Sequence, residues 1–157
     1  MVRVRLIAAI ATLSVVLVGA STALAQTRAA ERLAAAKALT CVFPALSVGD
    51  WKSGTAAVEA KPATLSLGFA DIDTDEGTAR VIGAFGPSDI VVRLSSGTLH
   101  FVQSFREGPL YVTTIFPYES RPGRLRAVHT RHEFTEVSLP GFTSRPEQYI
   151  GECEATN

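Results

Sequence analysis

Between Thr64 and Cys153 the apolar residues of this chain fall mostly two positions apart, the signature of strands with one buried face. Leu65, Leu67 and Phe69 share a face, the acidic turn Asp73-Thr74-Asp75-Glu76-Gly77 follows, and Ala79 to Phe85 returns. Asp89 to Leu94 repeats the pattern with Ile90, Val92 and Leu94, and Ser95-Ser96-Gly97 turns the chain. Leu99, Phe101 and Phe105 line one side of the next strand, which Arg106-Glu107-Gly108 reverses. Tyr111 to Phe116 runs back, Pro117 to Gly123 reads as a longer turn, and Leu125 to Phe134 and Gln148 to Cys153 are the last strands. A weaker strand lies around Trp51 to Glu59. The pattern predicts an all-β fold, an antiparallel meander of about seven or eight strands. Tight sequential hairpins favour a closed or partly closed barrel. A β-sandwich is the alternative, with Leu139 to Pro146 as the long connection it needs.

The N-terminus reads differently. Arg3 and Arg5 precede Leu6 to Val18, which carry no charge, and Ala23-Leu24-Ala25 offers a small-x-small cleavage site. The apolar run is shorter than the ~20 residues of a membrane helix. Residues 1–25 are therefore expected to be a signal peptide, and the protein to be exported, periplasmic or secreted. Thr27 to Leu39 is rich in good helix formers and lacks Gly and Pro, which predicts a short helix of mostly alanine surface that can bury little area. The expected division is 1–25 signal peptide, 26–40 N-terminal helical segment and 41–157 a single β-domain.

Export changes the reading of the cysteines. Cys41 and Cys153 are the only two, and an oxidising compartment invites them to pair across most of the mature chain. Charge excludes more than it suggests. Fifteen basic residues balance fifteen acidic ones, and cleavage would remove Arg3 and Arg5 but no acid. No basic surplus is left to attract nucleic acid, and no second long apolar run predicts a span in the mature protein.

Candidate chemistry is sparse. Asp71 to Gly77 places carboxylates at alternate positions, but an EF-hand loop wants Gly sixth and Glu twelfth, where this segment has Glu76 and Ile82. A solvated hairpin turn explains it better. His129 and His132 are three apart, which sends them to opposite faces of a strand, and only distant His100 remains, so no metal site is expected. The same alternation puts His129, Arg131 and Glu133 on one face. Were that face the barrel interior, His129 and Arg131 would form a cationic spot suited to a ligand carboxylate or phosphate; on the outside they would be ordinary surface charge. Trp51 is expected to be buried, anchoring the first long strand, and is a candidate ligand contact. Gly49-Asp50-Trp51 resembles the Gly-x-Trp that opens lipocalin-type barrels, where the Trp closes one end and a late Arg stacks on it. No Gly-x-Ser-x-Gly elbow is present, and Gly83-Ala84-Phe85-Gly86 lacks the Lys of a phosphate loop.

Several segments together resemble a family of small exported proteobacterial proteins that carries no assigned activity. They are Cys41, Trp51 with Gly54, Ile72-Asp73 through Gly77 to Gly83, Thr113-Thr114-Ile115-Phe116, Val128 to His132, and Gln148-Tyr149-Ile150-Gly151-Glu152-Cys153. Thr130 and Glu147 stand where the family pattern has Ser. The resemblance implies an exported β-domain and no mechanism.

The expected function is that of an exported, non-enzymatic β-domain binding a small amphipathic ligand in a barrel cavity. Leu65, Leu67, Phe69, Ile90, Val92, Phe101 and Phe105 would line the cavity, with His129, Arg131 and Trp51 as candidate ligand contacts and no cofactor. The same apolar residues could instead fill a solid core; a useful pocket needs ~300 Å³ or more. An envelope interaction or assembly factor is the alternative, and would expose an apolar patch or an open strand edge. An enzyme built on Arg131, His132 and a nearby carboxylate is the third reading.

Overall fold

The computed structural model describes residues 24–84, 86–106, 108–137 and 144–156. One helix, α1, covers residues 24–35. Eight strands follow: β1 Ala38–Lys52, β2 Thr55–Asp73, β3 Thr78–Gly83, β4 Gly86–Ser95, β5 Thr98–Ser104, β6 Leu110–Arg121, β7 Arg124–His132 and β8 Glu147–Thr156. Each pairs antiparallel with the next, and β1 pairs with β8, so the sheet closes on itself in strict sequence order. This is the barrel, not the sandwich. The expected signal peptide lies outside the described residues except for its last two positions, which begin α1. Among the described residues no helix is long and apolar enough to cross a membrane.

The boundaries shift in three places, each for a local reason. Leu39 leaves the expected helix and joins β1, because its side chain and those of Cys41 and Phe43 alternate into the core. The weak strand expected over Trp51 to Glu59 is split by a two-residue turn at Ser53-Gly54. Its start ends β1, a strand not expected before Trp51, and its remainder runs on into the Leu65 to Phe69 strand as β2. Both turn residues have positive φ, the conformation that matches the twist of a tight hairpin. The longer turn expected from Pro117 shrinks to residues 122–123, because β6 continues to Arg121 through register shifts.

Bulging decides which face of β1 looks inward. Residues 39, 41 and 43 are buried, but the register shifts between Phe43 and Ala45 against β2, and between Val42 and Ala45 against β8, around Pro44. Proline cannot donate to a ladder and is tolerated at such a bulge. Beyond it the inward positions become even-numbered, with Leu46 buried and Val48 packed against the core. Trp51, which would have faced inward without the bulge, faces outward and is 56% exposed. The expectation of a buried, anchoring Trp51 is therefore corrected. Its ring meets Phe134 edge-on, with centroids 5.5 Å apart. Trp51→Ala should cost only about 1 kcal/mol in denaturant unfolding, the worth of one exposed aromatic contact.

The two barrel ends differ. At one, α1 lies across the turns: Ala29 and Leu33 are buried, and Ala30 packs so closely on Gly97 that a Cβ there would lie 3.0 Å from its own. Gln26 Nε2 donates to Tyr118 Oη at 2.8 Å, Arg32 pairs with Glu119, and Ile72 N–H donates to the Lys37 carbonyl at 3.1 Å. The small alanine side chains are what let the helix approach the strand turns. Below it Leu39, Ile72, Val92, Leu99, Ile115 and Leu125 fill the interior, with the Cys41–Cys153 disulfide among them. The cysteines are direct partners across β1 and β8, and their Cα atoms are 4.0 Å apart, slightly closer than the usual range for a disulfide.

Toward the other end the ring loosens. β2 pairs with β3 only from Gly68 to Asp73, so among the described residues its first part, 55–67, pairs with β1 alone. Beyond Val48, where β1 also leaves β8, the tip of the β1–β2 hairpin pairs only with itself and forms an arm.

Candidate functional site

An eight-stranded barrel has an interior just wide enough to be filled by side chains or to hold one small ligand. Here the half under α1 is filled and the half toward the arm is not. A cavity of about 570 Å³ remains, well above the ~300 Å³ that distinguishes a pocket from packing voids. Leu65, Leu67, Phe69, Ile90, Phe101 and Phe105 line it as the alternation predicts, while Val92 lies in the filled core with no exposed surface. Phe69 and Phe101 stack at 4.0 Å between centroids. Trp51 is not part of the wall, and α1 rather than Trp51 covers a barrel end. The lipocalin-like closing role expected of Trp51 is corrected by the β1 bulge, and any ligand contact it makes lies outside this cavity.

The opposite wall is polar, and strand register builds it. Phe101, Thr113, His129 and Tyr149 are successive cross-strand partners from β5 to β8. Two residues nearer the open end, Gln103, Tyr111, Arg131 and Glu147 form a second row. Because side chains on one face recur every second residue, both rows point to the same side. His129 and Arg131 face the interior, one of the two orientations the alternation allows. His132 is exposed, so Arg131 and His132 do not share the cavity.

His129 is 4% exposed and sits among Phe43, Tyr111 and Tyr149 rings. Its Nε2 accepts from Arg131 Nε–H at 3.3 Å, which leaves the proton on Nδ1, 2.8 Å from the Thr113 hydroxyl. Burial, and then the charge of Arg131, pushes its pKa down to about 3. The cationic spot expected from His129 and Arg131 together is thus Arg131 alone; His129 is a neutral spacer with both nitrogens engaged. A pH dependence follows. The unfolded chain takes up a proton at an imidazole pKa of ~6.5 and the folded chain does not, so stability is full above that value and falls as pH drops toward about 3. Urea unfolding should lose up to ~1.4 kcal/mol per pH unit across this window. The lowered carboxylates Asp73, Glu119 and Glu152 act only below their ordinary values, so a flat profile from 6.5 to 4.5 would refute the burial of His129.

Arg131 is wedged between two phenol rings, its Cζ 5.2 Å from the Tyr111 centroid and 5.1 Å from that of Tyr149. Such cation–π contacts hold a guanidinium without consuming its N–H groups. Its Nη1 lies 3.5 Å from Glu147 Oε2. The phenols donate outward: Tyr149 Oη to Glu147 at 2.7 Å and Tyr111 Oη to Glu133 at 3.1 Å. Burial first, then these carboxylates, pushes both phenols up to about 12, so they remain protonated donors. Sequence reading found His129, Arg131 and Glu133 but missed Gln103, Tyr111, Thr113, Glu147 and Tyr149. The signal available was a pair of polar or aromatic residues two apart in each of four strands.

Elsewhere the sequence candidates find ordinary roles. The Asp73 carboxylate accepts from the N–H groups of Asp75 and Glu76 at 3.0 and 2.9 Å, closing its own turn. His100 Nδ1 lies 3.1 Å from the Thr114 hydroxyl. Trp51, Val58, Phe134, Val137 and Ile150 leave apolar surface exposed. No family model, curated protein or solved structure matches this chain.

Proposed function

We propose that the protein is an exported, non-enzymatic β-domain that binds a small amphipathic ligand in its barrel cavity. The observation that carries the reading is the unfilled interior: about 570 Å³, apolar from β2 to β5 and polar from β5 to β7, with Arg131 held at the boundary. An unfilled space of this size forgoes packing that the fold would otherwise gain, which is expected where an occupant supplies it. Export is supported by the leader-like N-terminus, by the resemblance to exported proteins and by the disulfide. A binding role is favoured over catalysis because His129 is neutral with both nitrogens engaged, and because His132 lies outside the cavity.

Native mass spectrometry of protein taken from the exported fraction tests the reading. The expected result is a chain beginning near Gln26 that carries a small-molecule mass lost on denaturation. A retained Met1 would overturn export. A bare protein that also takes up no apolar dye would overturn the cavity function. A second reading, an envelope interaction factor, is favoured by the unpaired edge of β2 and the exposed Trp51, Val58 and Phe134; a protein mass in the same spectrum would support it.

A further inference from the structure

Resting on the reading of the cavity as a ligand site, we propose that the ligand offers Arg131 an uncharged hydrogen-bond acceptor, a carbonyl of the amide, ester or ketone class, on an apolar body. This departs from the carboxylate or phosphate that an isolated arginine would suggest.

The first argument is charge. Arg131 is not isolated. Glu147 lies 3.5 Å from its Nη1, and the Glu133 carboxylate accepts from Tyr111, over whose ring the guanidinium lies. The ionised groups acting on the Tyr111 phenol are Arg131, Glu133 and Glu147, one cation against two anions. His129 adds no charge. A carboxylate entering here would meet a site already compensated by Glu147, with a second carboxylate nearby, in surroundings that screen poorly. A phosphate would meet the same opposition twice over.

The second argument is hydrogen bonding. The guanidinium lies over the Tyr111 and Tyr149 rings, which narrows the directions from which a ligand reaches it. Nε is committed to His129 and Nη1 faces Glu147, while Nη2 has no acceptor among the described residues. The Thr113 hydroxyl accepts from His129 Nδ1–H and keeps its own proton to give. Gln103 adds an amide to the wall. The free groups are mostly donors, and they want acceptors. A carbonyl supplies two lone pairs without adding charge.

The third argument is shape. The polar groups occupy one side of the cavity and the apolar residues face them, so the ligand's acceptor lies at its flank or near end. Its body packs on Leu65, Leu67, Phe69 and Phe101.

Isothermal titration calorimetry with octanamide and with octanoate at pH 8, where the acid is ionised, tests the assignment. Octanamide should bind at least about tenfold more tightly, a difference of roughly 1.4 kcal/mol. Glu147→Gln retains an acceptor for Tyr149 but removes one opposing charge, and should narrow or reverse the preference. Glu133→Gln should shift it the same way and serves if the first variant does not fold. Octanoate binding as tightly as octanamide to the unaltered protein would overturn the uncharged-acceptor assignment and leave the ligand site standing. No heat with either, together with no uptake of N-phenyl-1-naphthylamine, would overturn the ligand site and this proposal with it.

Discussion

Replacing both cysteines, as Cys41→Ala with Cys153→Ala, should lower stability by about 3–5 kcal/mol and the thermal midpoint by roughly 10–20 °C. The bond joins residues 112 apart in sequence, and the chain-entropy account assigns ~4.7 kcal/mol to a loop of ~100 residues. Its position matters as much as its span. Cys41 and Cys153 face each other across β1 and β8, among the described residues the only pairing in the ring that joins strands distant in sequence. Every other strand meets its neighbour through a local connection; this seam must be found by the two ends of the domain. Both sulfurs lie in the filled half of the barrel, with no exposed surface on either residue, so the variant also loses packing there. Guanidinium unfolding of the oxidised protein and the double variant measures the difference. Denatured, unreduced protein should show no free thiol; two reactive thiols would refute the bond.

Gly151→Ala should destabilise by about 3 kcal/mol, the upper end for overpacking. A Cβ at this position would lie 2.1 Å from the Val42 carbonyl oxygen and 2.8 Å from Phe43 Cα. These are backbone atoms of β1 at its bulge, and they cannot rotate away as a side-chain tip would. The same bulge turns Trp51 outward and brings Leu46 in, so displacing it disturbs both the β1–β8 seam and the wall of the cavity. A chemical-denaturation midpoint within error of the unaltered protein would mean that β1 and β8 do not approach as described. Ala at Gly49, where the nearest atoms would be 3.8 Å away, provides the comparison and should be tolerated.

Much of this protein is legible in its alternation. Seven of the eight strands are recognisable at least in part, β2 from Leu65, Leu67 and Phe69 and β3 to β8 from runs such as Ile90-Val91-Val92 and Leu99-His100-Phe101, and their turns from Ser96-Gly97 and the acidic segment before Gly77. The disulfide follows from two cysteines and an export-like leader. Period-two patterning works for these strands because one face is buried without interruption. β1 defeats it, since around Pro44 it takes three residues against two of β8 and exchanges the faces halfway along. A rule that counts by twos cannot detect a change of parity it has not been told of, and Trp51 is the residue it misplaces.

The candidate site divides along the same line. That His129, Arg131 and Glu133 share a face was determined by sequence alone, because neighbours on one strand are related by a local period. Whether that face looked into the barrel or into water was decided by closure of the ring. Which residues of β5, β6 and β8 stand beside it was decided by register, through the pairings of Thr113 with His129 and of Arg131 with Glu147. The neutrality of His129 and the compensation of Arg131 depend on burial and on a carboxylate brought from another strand. Periodicity is a property of each strand by itself, whereas charge, burial and cavity volume arise only when eight strands are brought together.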